Sequence, residues 1–390
     1  MATSPDINRM NIMGQSKTAT MKDVAKEAGV SIGTVDRVLH NRGRFSEATA
    51  QRVREAATRL EFQPNIVASN LKKAQWTTLV AVLPHLEQDG GFWATVAAGI
   101  ERAVQELAHH YVRIRFAHYD RFRPESFDAI AREITGALTR PAEPPAGAEI
   151  GESGDAATTD ENYSGVILAP TLQSASADLA RRVAPLPVVV LDGELPEVEL
   201  LCSISQESYE GGLLAAKLLY TKGGNGRYAS IVVGRDDYHL LRRRAGFEAF
   251  FQEIVETERL EADSEAGIRE VVRARMEEEP GLDGIFVTNA AAHAVIDSIR
   301  GLRMSQGGTP DLPPIVGYDL LPENVFCLRE GSLSFLINQQ PENQGYQAVY
   351  ALYRHSVLSE QVEPQIRIPV DLVTRETLQF HQVPPYPPKG

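Results

Sequence analysis

The sequence predicts a two-part protein: a small all-α helix-turn-helix headpiece, then an α/β body of two lobes, each a doubly wound parallel sheet. Three observations carry that prediction. At 390 residues the chain exceeds one compact domain. Residues 20 to 60 place apolar side chains at helical spacing around a single glycine break. From Thr77 onward, short apolar strands alternate with amphipathic helices, a pattern that requires both sheet faces to be covered.

The first eighteen residues read as a disordered tail. They hold neither the basic and apolar regions of a signal peptide nor, like the rest of the chain, eighteen apolar residues in a row. A cytoplasmic protein without membrane contact is therefore expected. Cys202 and Cys327 are the only cysteines, and such sparse usage fits core thiols in a reducing compartment.

Charge is distributed unevenly. The formal net charge is −13, yet residues 17 to 76 carry eleven Lys or Arg against six acids, a local balance of +5 that leaves −18 on the remainder. A basic head on an acidic body points to nucleic acid as a partner of the head alone.

The headpiece spans residues 19 to 63. Thr20 and Asp23 form a capping pair before Val24, Ala25 and Ala28, and Gly29 supplies a left-handed helix stop. Ser31 can cap a second helix from Ile32 to about Leu39, with Val30, Val35 and Val38 facing the first helix. Ser46 then opens a third helix, whose Val53, Ala56, Ala57 and Leu60 close a small core. Residues 64 to 76 form a linker in which Pro64 and Asn65 start a helix. Its stripe of Val67, Ala68 and Leu71 is too short to be stable alone, so the segment needs a partner.

The run DVAKEAGVSIGTVDRVLHNRG, then SEATAQRVREAATRLEFQPN, then IVASNLKK, resembles the headpiece of the LacI/GalR family of bacterial regulators without a visible gap over residues 20 to 73. The resemblance implies a transcription regulator, acting as a repressor, whose second helix enters the DNA major groove. Ile32 and Gly33 fall on the family's main base-reading positions. Ile32 can pack on a thymine methyl, whereas Gly33 offers no side chain and weakens its helix by about 1 kcal/mol. Arg37 matches a base-contacting arginine able to bond guanine bidentately. Asp36 stands where the family usually has Ser, and it either pairs with Arg37 or accepts from a cytosine amine. Thr20, Ser31, Thr34 and Asn41 are placed for phosphate or base contacts, although Ser31 can equally be only a cap.

By the same resemblance, residues 64 to 76 hold the hinge helix. Asn65, Ala68 and Leu71 match its NxxAxxL pattern, Leu71 wedges between base steps in the minor groove, and Lys72 meets phosphate. The partners implied are double-stranded operator DNA, a small-molecule effector of sugar type, and a second copy of the chain, as a homodimer or a tetramer.

The body runs from 77 to 383. Nine candidate strands follow in order: TLVAVLP, VRIRFAHY, GVILAP, PVVVLD, LLCSIS, YASIVV, GIFVTN, PIVGYD and SFLIN. Helices are expected over Trp93–His109, Pro124–Leu138, Glu207–Tyr220, Leu240–Val255 and Gln344–Ser356. Nine strands exceed one comfortable sheet, which favours two lobes with a cleft at their strand ends. The arrangement resembles the periplasmic-binding-protein-like core of LacI/GalR proteins, with one lobe over about 77–206 plus 332–360 and the other over about 207–331 plus 361–383. Residues 140 to 164, rich in Pro, Gly, Ala and acids, read as a disordered surface insertion.

The resemblance places the effector in the cleft. Arg243 offers a forked donor, Asn289 both donates and accepts, and Asp319 and Asp192 can accept sugar hydroxyls. Phe92 and Trp93 either stack on a ring face or pack the lobe. Gln339 or Gln340 supplies a ligand amide, the register leaving the choice open, and Glu207 stands where relatives have Asp.

Other chemistries find no support. Gly223–Gly226 follows a helix and precedes a strand, the reverse of a phosphate cradle, and there is no Walker loop, GxSxG or HExxH. No catalytic residue, metal or cofactor is expected. The rival classes are a sugar-binding protein without regulation and, further off, an enzyme on the same core. Lobe closure around a ligand would order or melt the paired hinge helices, with a sign the sequence does not give.

Overall fold

The computed structural model describes residues 21–39, 45–60, 76–139, 163–233, 238–262, 265–278, 281–305 and 312–381. The chain divides into two compact units, Met1–Lys73 and Ala74–Gly390.

In the first unit α1 (Met21–Ala28), α2 (Ile32–Leu39) and α3 (Glu47–Arg59) enclose a core of Val24, Ala25, Ala28, Val35, Val38, Ala50, Val53 and Ala56. Gly29 ends α1 at φ +67°, a conformation with no Cβ to oppose it, and lets Val30 N bond back to Ala25 O at 3.0 Å. Ser31 Oγ then accepts from Thr34 N at 3.1 Å, and Ser46 Oγ accepts from Thr49 N at 3.2 Å. Both serines thus satisfy helix N-termini, as their positions predict. Thr20, Asn41, Asn65, Ala68, Leu71 and Lys72 lie outside the described residues.

The second unit holds two six-stranded sheets. The first contains β1 (Thr77–Pro84), β2 (Val112–Tyr119), β3 (Tyr163–Leu168), β4 (Val188–Leu191), β5 (Cys202–Gln206) and β11 (Gln365–Ile368). The second contains β6 (Tyr228–Val233), β7 (Thr257–Ala262), β8 (Gly284–Val287), β9 (Ile315–Tyr318), β10 (Phe335–Asn338) and β12 (Asp371–Val373). Their orders are β11-β5-β4-β3-β1-β2 and β12-β10-β9-β8-β6-β7. Every pairing is parallel except β10 with β12.

Both faces of each sheet are covered, as a parallel sheet requires. Along β1, Leu79, Ala81 and Leu83 pack with Trp93, Ile100 and Leu352 on one face, while Val80 and Val82 pack with Phe127 and Leu179 on the other. The covering helices of the first lobe are α4 (Phe92–Glu106), α5 (Pro124–Thr139), α6 (Gln173–Arg182) and α12 (Pro341–Ser356). Those of the second are α7 (Ser208–Gly223), α8 (Tyr238–Phe251), α9 (Glu265–Met276), α10 (Ala292–Ser305) and α11 (Pro322–Glu330).

The chain passes between lobes after β5, after β10 and after β11. This corrects two lobe assignments. Residues 335–338, expected in the first lobe, pair with β9 in the second, and 365–368, expected in the second, pair with β5 in the first. Hydropathy marks a strand without saying which sheet it joins. Three strands escaped notice because they are sheet edges: β7, reading TERLEA, is half exposed, β11 is mostly exposed, and β12 has three residues. Tyr163 and Ser164, assigned to the insertion, begin β3. Cys202 and Cys327 are buried free thiols in different lobes.

Candidate functional site

On the headpiece, α2 buries Val35 and Val38 and turns Ile32, Gly33 and Arg37 outward, with Ile32 49% exposed. A single exposed apolar side chain is ordinary on a protein surface, so its exposure leaves Ile32 accessible without by itself marking an interface. Arg37 lies back along its own helix: Nε donates to Gly33 O at 3.1 Å and Nη2 to Thr34 Oγ1 at 3.4 Å. Thr34 Oγ1 is also 2.9 Å from Ser31 Oγ, so one chain of hydrogen bonds joins the cap to the arginine.

In the body, a cavity of about 420 Å³ opens between the lobes, at the C-terminal ends of the central strands. Asp319 follows β9 in a left-handed turn at φ 67°, and its two carboxylate oxygens accept from Gln339 Nε2 at 3.0 and 2.9 Å. Gln339 stands at the second lobe crossover and also accepts from Arg243 Nη2. Arg243 is 1% exposed, donates from Nη1 to Thr288 O at 2.7 Å, and has its Cζ 3.7 Å from the centroid of the Tyr318 ring. Two close helix approaches fix this arginine. A Cβ on Gly212 of α7 would lie 1.9 Å from Arg243 O, and one on Gly246 of α8 would lie 2.0 Å from Tyr209 O.

Burial pushes the Asp319 carboxyl up to about 6, against the pull of Arg243 and of the Gln339 bonds. Asn289 holds its place by donating to Val233 O at 2.8 Å. From the first lobe come Asp192, at φ 48°, and the pair Phe92 and Trp93. Both aromatic residues line the cavity and are nearly fully buried, edge to face at 5.0 Å, so they pack the lobe as well as wall the cleft. His239 Nε2 lies 3.9 Å from Asp192 Oδ2 across the cleft. Burial, then Arg243 and Arg121, hold His239 well below its ordinary value and therefore neutral.

Two expected positions stand elsewhere. Glu207 pairs with Arg367 Nε at 2.8 Å beside the crossovers and does not line this cavity. Gln340, at φ 53°, takes the Asn343 amide at 3.2 Å and also lies off the cavity, which leaves Gln339 as the cleft amide.

The structure adds residues that sequence reasoning missed. Asp89 accepts from Trp93 Nε1 at 2.7 Å and pairs with Arg121, and Phe122 stands 53% exposed at the cavity wall. The sequence offered only their position, since DRF directly follows β2 and LEQDGG follows β1, where strand-end loops carry polar groups; their pairing needs the fold. Among the charged lining residues, Glu87, Asp89, Asp192 and Asp319 outnumber Arg121 and Arg243. Such a cleft suits neutral hydroxyls better than a phosphate or carboxylate.

A helical DNA-binding unit in front of a two-lobed α/β domain with a polar inter-lobe cleft defines a ligand-responsive regulator. The chain belongs to the periplasmic binding protein domain family, whose model residues 80–358 match, and its residues 20–65 match the model of the lacI family of bacterial regulatory proteins. It is 28% identical over 372 residues to a ribose operon repressor of Bacillus subtilis, covering 92% of this chain and 98% of the relative. It is 22% identical over 376 residues to one from Lactococcus lactis, with the same two coverages. A solved LacI transcriptional regulator from Bacteroides fragilis shares the fold, with TM-score 0.66 and 23% identity over 79% of this chain and all of that one. The protein is thus a DNA-binding transcriptional regulator with a small-molecule effector domain.

Proposed function

We propose that this regulator is a cytoplasmic repressor that binds operator DNA as a homodimer and responds to an unphosphorylated sugar held between Asp319, Gln339, Arg243 and Asn289 from one side and Asp192 from the other. The observation that carries the reading is the Asp319–Gln339–Arg243 network. It is a buried array of one carboxylate, one amide and one guanidinium at the floor of a cleft with a surplus of acids. Alternating acceptors and donors of this kind match vicinal hydroxyls. Ribose is the first sugar to test, since two relatives are ribose operon repressors.

On the DNA side, Ile32, Gly33, Thr34, Asp36 and Arg37 meet the major groove, with Ser31 serving as the cap. Thr20 and Asn41 contact the duplex beside them. Asn65, Ala68, Leu71 and Lys72 form the minor-groove hinge. In the described residues no helix is long and apolar enough to cross a membrane. The protein carries out no chemistry on its ligand.

Selection of the full chain against a random duplex pool, followed by fluorescence anisotropy on the enriched site with and without millimolar D-ribose, D-arabinose, D-glucose and D-galactose, tests the reading. Enrichment of a palindrome and a sugar-dependent change in affinity are expected. Absence of sequence enrichment would overturn the regulator, and enrichment without any sugar response would overturn the effector assignment.

A further inference from the structure

We propose that Tyr318 and Gln206 form a latch at the lobe crossovers, engaged when the lobes close on a ligand. The proposal rests on the effector reading above and adds a coupling device that the lining residues alone do not supply. Gln206 ends β5 at the first crossover and is buried. Its Nε2 donates to Asn338 O at 2.9 Å, beside the second crossover, and to Pro369 O at 3.1 Å, within the third. One side-chain amide therefore holds all three strands through which the lobes turn about each other. Its other half is unsatisfied, because Oε1 is buried without a hydrogen-bond partner.

Tyr318 is the last residue of β9 and moves with the second lobe. Its hydroxyl is likewise buried, and although the Arg243 guanidinium stands beside it, the geometry completes no hydrogen bond between them. The two orphans face one place: the position of a Cβ on Gly211 lies 2.0 Å from Tyr318 Oη and 3.9 Å from Gln206 Oε1. A hydroxyl that can donate and a carbonyl that can only accept are complementary. Leaving both buried and unpaired penalises the present arrangement. Gly211 has no side chain to exclude the tyrosine hydroxyl from this place, so a small rotation at the crossovers can bring the pair into contact.

The latch is wired to the cleft. The Tyr318 ring lies under the Arg243 guanidinium, and its backbone continues into Asp319. A ligand drawn down onto Arg243 and Asp319 thus acts on the residue that carries the latch hydroxyl, while Gln206 relays its position to the crossovers. Tyr318 and Gln206 are positioning residues, since neither lines the cavity.

The test uses the full chain carrying Asp128→Cys and Met304→Cys, one exposed site on each lobe. Spin labels go on these two positions alone, because both native thiols are buried. Electron–electron resonance distances are recorded with and without a saturating mixture of D-ribose, D-arabinose, D-glucose and D-galactose. Sugar should raise the closed population, and Tyr318→Phe should lower the closed-to-open ratio under sugar about fivefold, the worth of one buried neutral hydrogen bond. In a Gln206→Met background the same Tyr318→Phe change should have no further effect. Equal closure by Tyr318→Phe and its parent would overturn the latch while leaving the effector reading intact, as when a water bridges the pair in both states. A parent whose distance never responds to sugar would overturn both, and the two failures are told apart by the parent alone.

Discussion

Asp319→Asn should make the effector-free protein more stable and the effector-bound protein weaker. Asp319 is 3% exposed, and its carboxyl titrates at about 6 against an ordinary 3.8. A carboxyl raised in the folded state is ionised more easily in the unfolded chain, so the fold bears a cost above pH 6 that disappears as pH falls toward 4. The upward shift of roughly two pH units corresponds to about 3 kcal/mol at pH 7.5, falling to roughly half of that at pH 5. Asparagine suits the test because it tolerates the left-handed backbone at φ 67° and keeps an oxygen that can accept from Gln339 Nε2. Thermal unfolding should show the variant about 4–8 °C above the parent at pH 7.5, with the gap narrowing as the pH is lowered. Affinity for the sugar identified above should fall more than tenfold, because a hydrogen bond to a charged acceptor is lost. A variant no more stable than the parent at pH 7.5, or a gap that does not depend on pH, would refute the reasoning.

Three further outcomes are expected. Arg37→Ala should weaken binding to the selected operator by about 1–3 kcal/mol and relax preference at one base pair, measured by anisotropy on single-substitution duplexes; a uniform loss across all sequences would make Arg37 a phosphate contact. Leu71→Ala should reduce both operator affinity and DNA bending, read by circular permutation gels, and unchanged bending would remove the wedge from the mechanism. Gly212→Ala places a methyl carbon 1.9 Å from Arg243 O and should cost roughly 1–3 kcal/mol of stability together with effector affinity, whereas Gly301→Ala, with open space around it, should be neutral or slightly stabilising. Equal unfolding midpoints for the two alanine variants would contradict the close approach of α7 and α8.

What the sequence revealed depended on how local the signal was. The headpiece was legible because Gly29, Ser31 and Ser46 each act within four residues of themselves, and the caps sit where their chemistry requires. Central strands were legible as apolar runs. Edge strands such as TERLEA were not, since a half-exposed strand alternates with charge and resembles a loop. In the cleft, Arg243, Asn289, Asp319 and Gln339 come together, but Glu207 and Gln340 lie off it at the crossovers, engaged with Arg367 and Asn343, and hydropathy does not say which way a side chain turns there. Asp89 and Arg121 went unnoticed because their roles exist only once β1 and β2 are neighbours in register.

The backbone itself marks the same place. Six non-glycine residues among those described have left-handed φ, and four of them, Asp89, Asp192, Asp319 and Gln340, lie at the cleft or the crossover beside it. Each such residue costs on the order of 1–2 kcal/mol unless its surroundings hold it there. Here they do: Asp192 N donates to Ile204 O and Asp319 N to Ile337 O, both at 2.9 Å, so each aspartate continues its neighbour's ladder by one bond and then turns its carboxylate into the cavity. A straight strand would send the next side chain to the opposite face of the sheet. The left-handed turn is what aims two carboxylates, one from each lobe, at a common space. That geometry has no use in packing, because burying a carboxylate costs free energy that an apolar side chain would not. On the function proposed above, a ligand whose hydroxyls bridge the two lobes would use this geometry and would tie lobe closure to occupancy of the cleft.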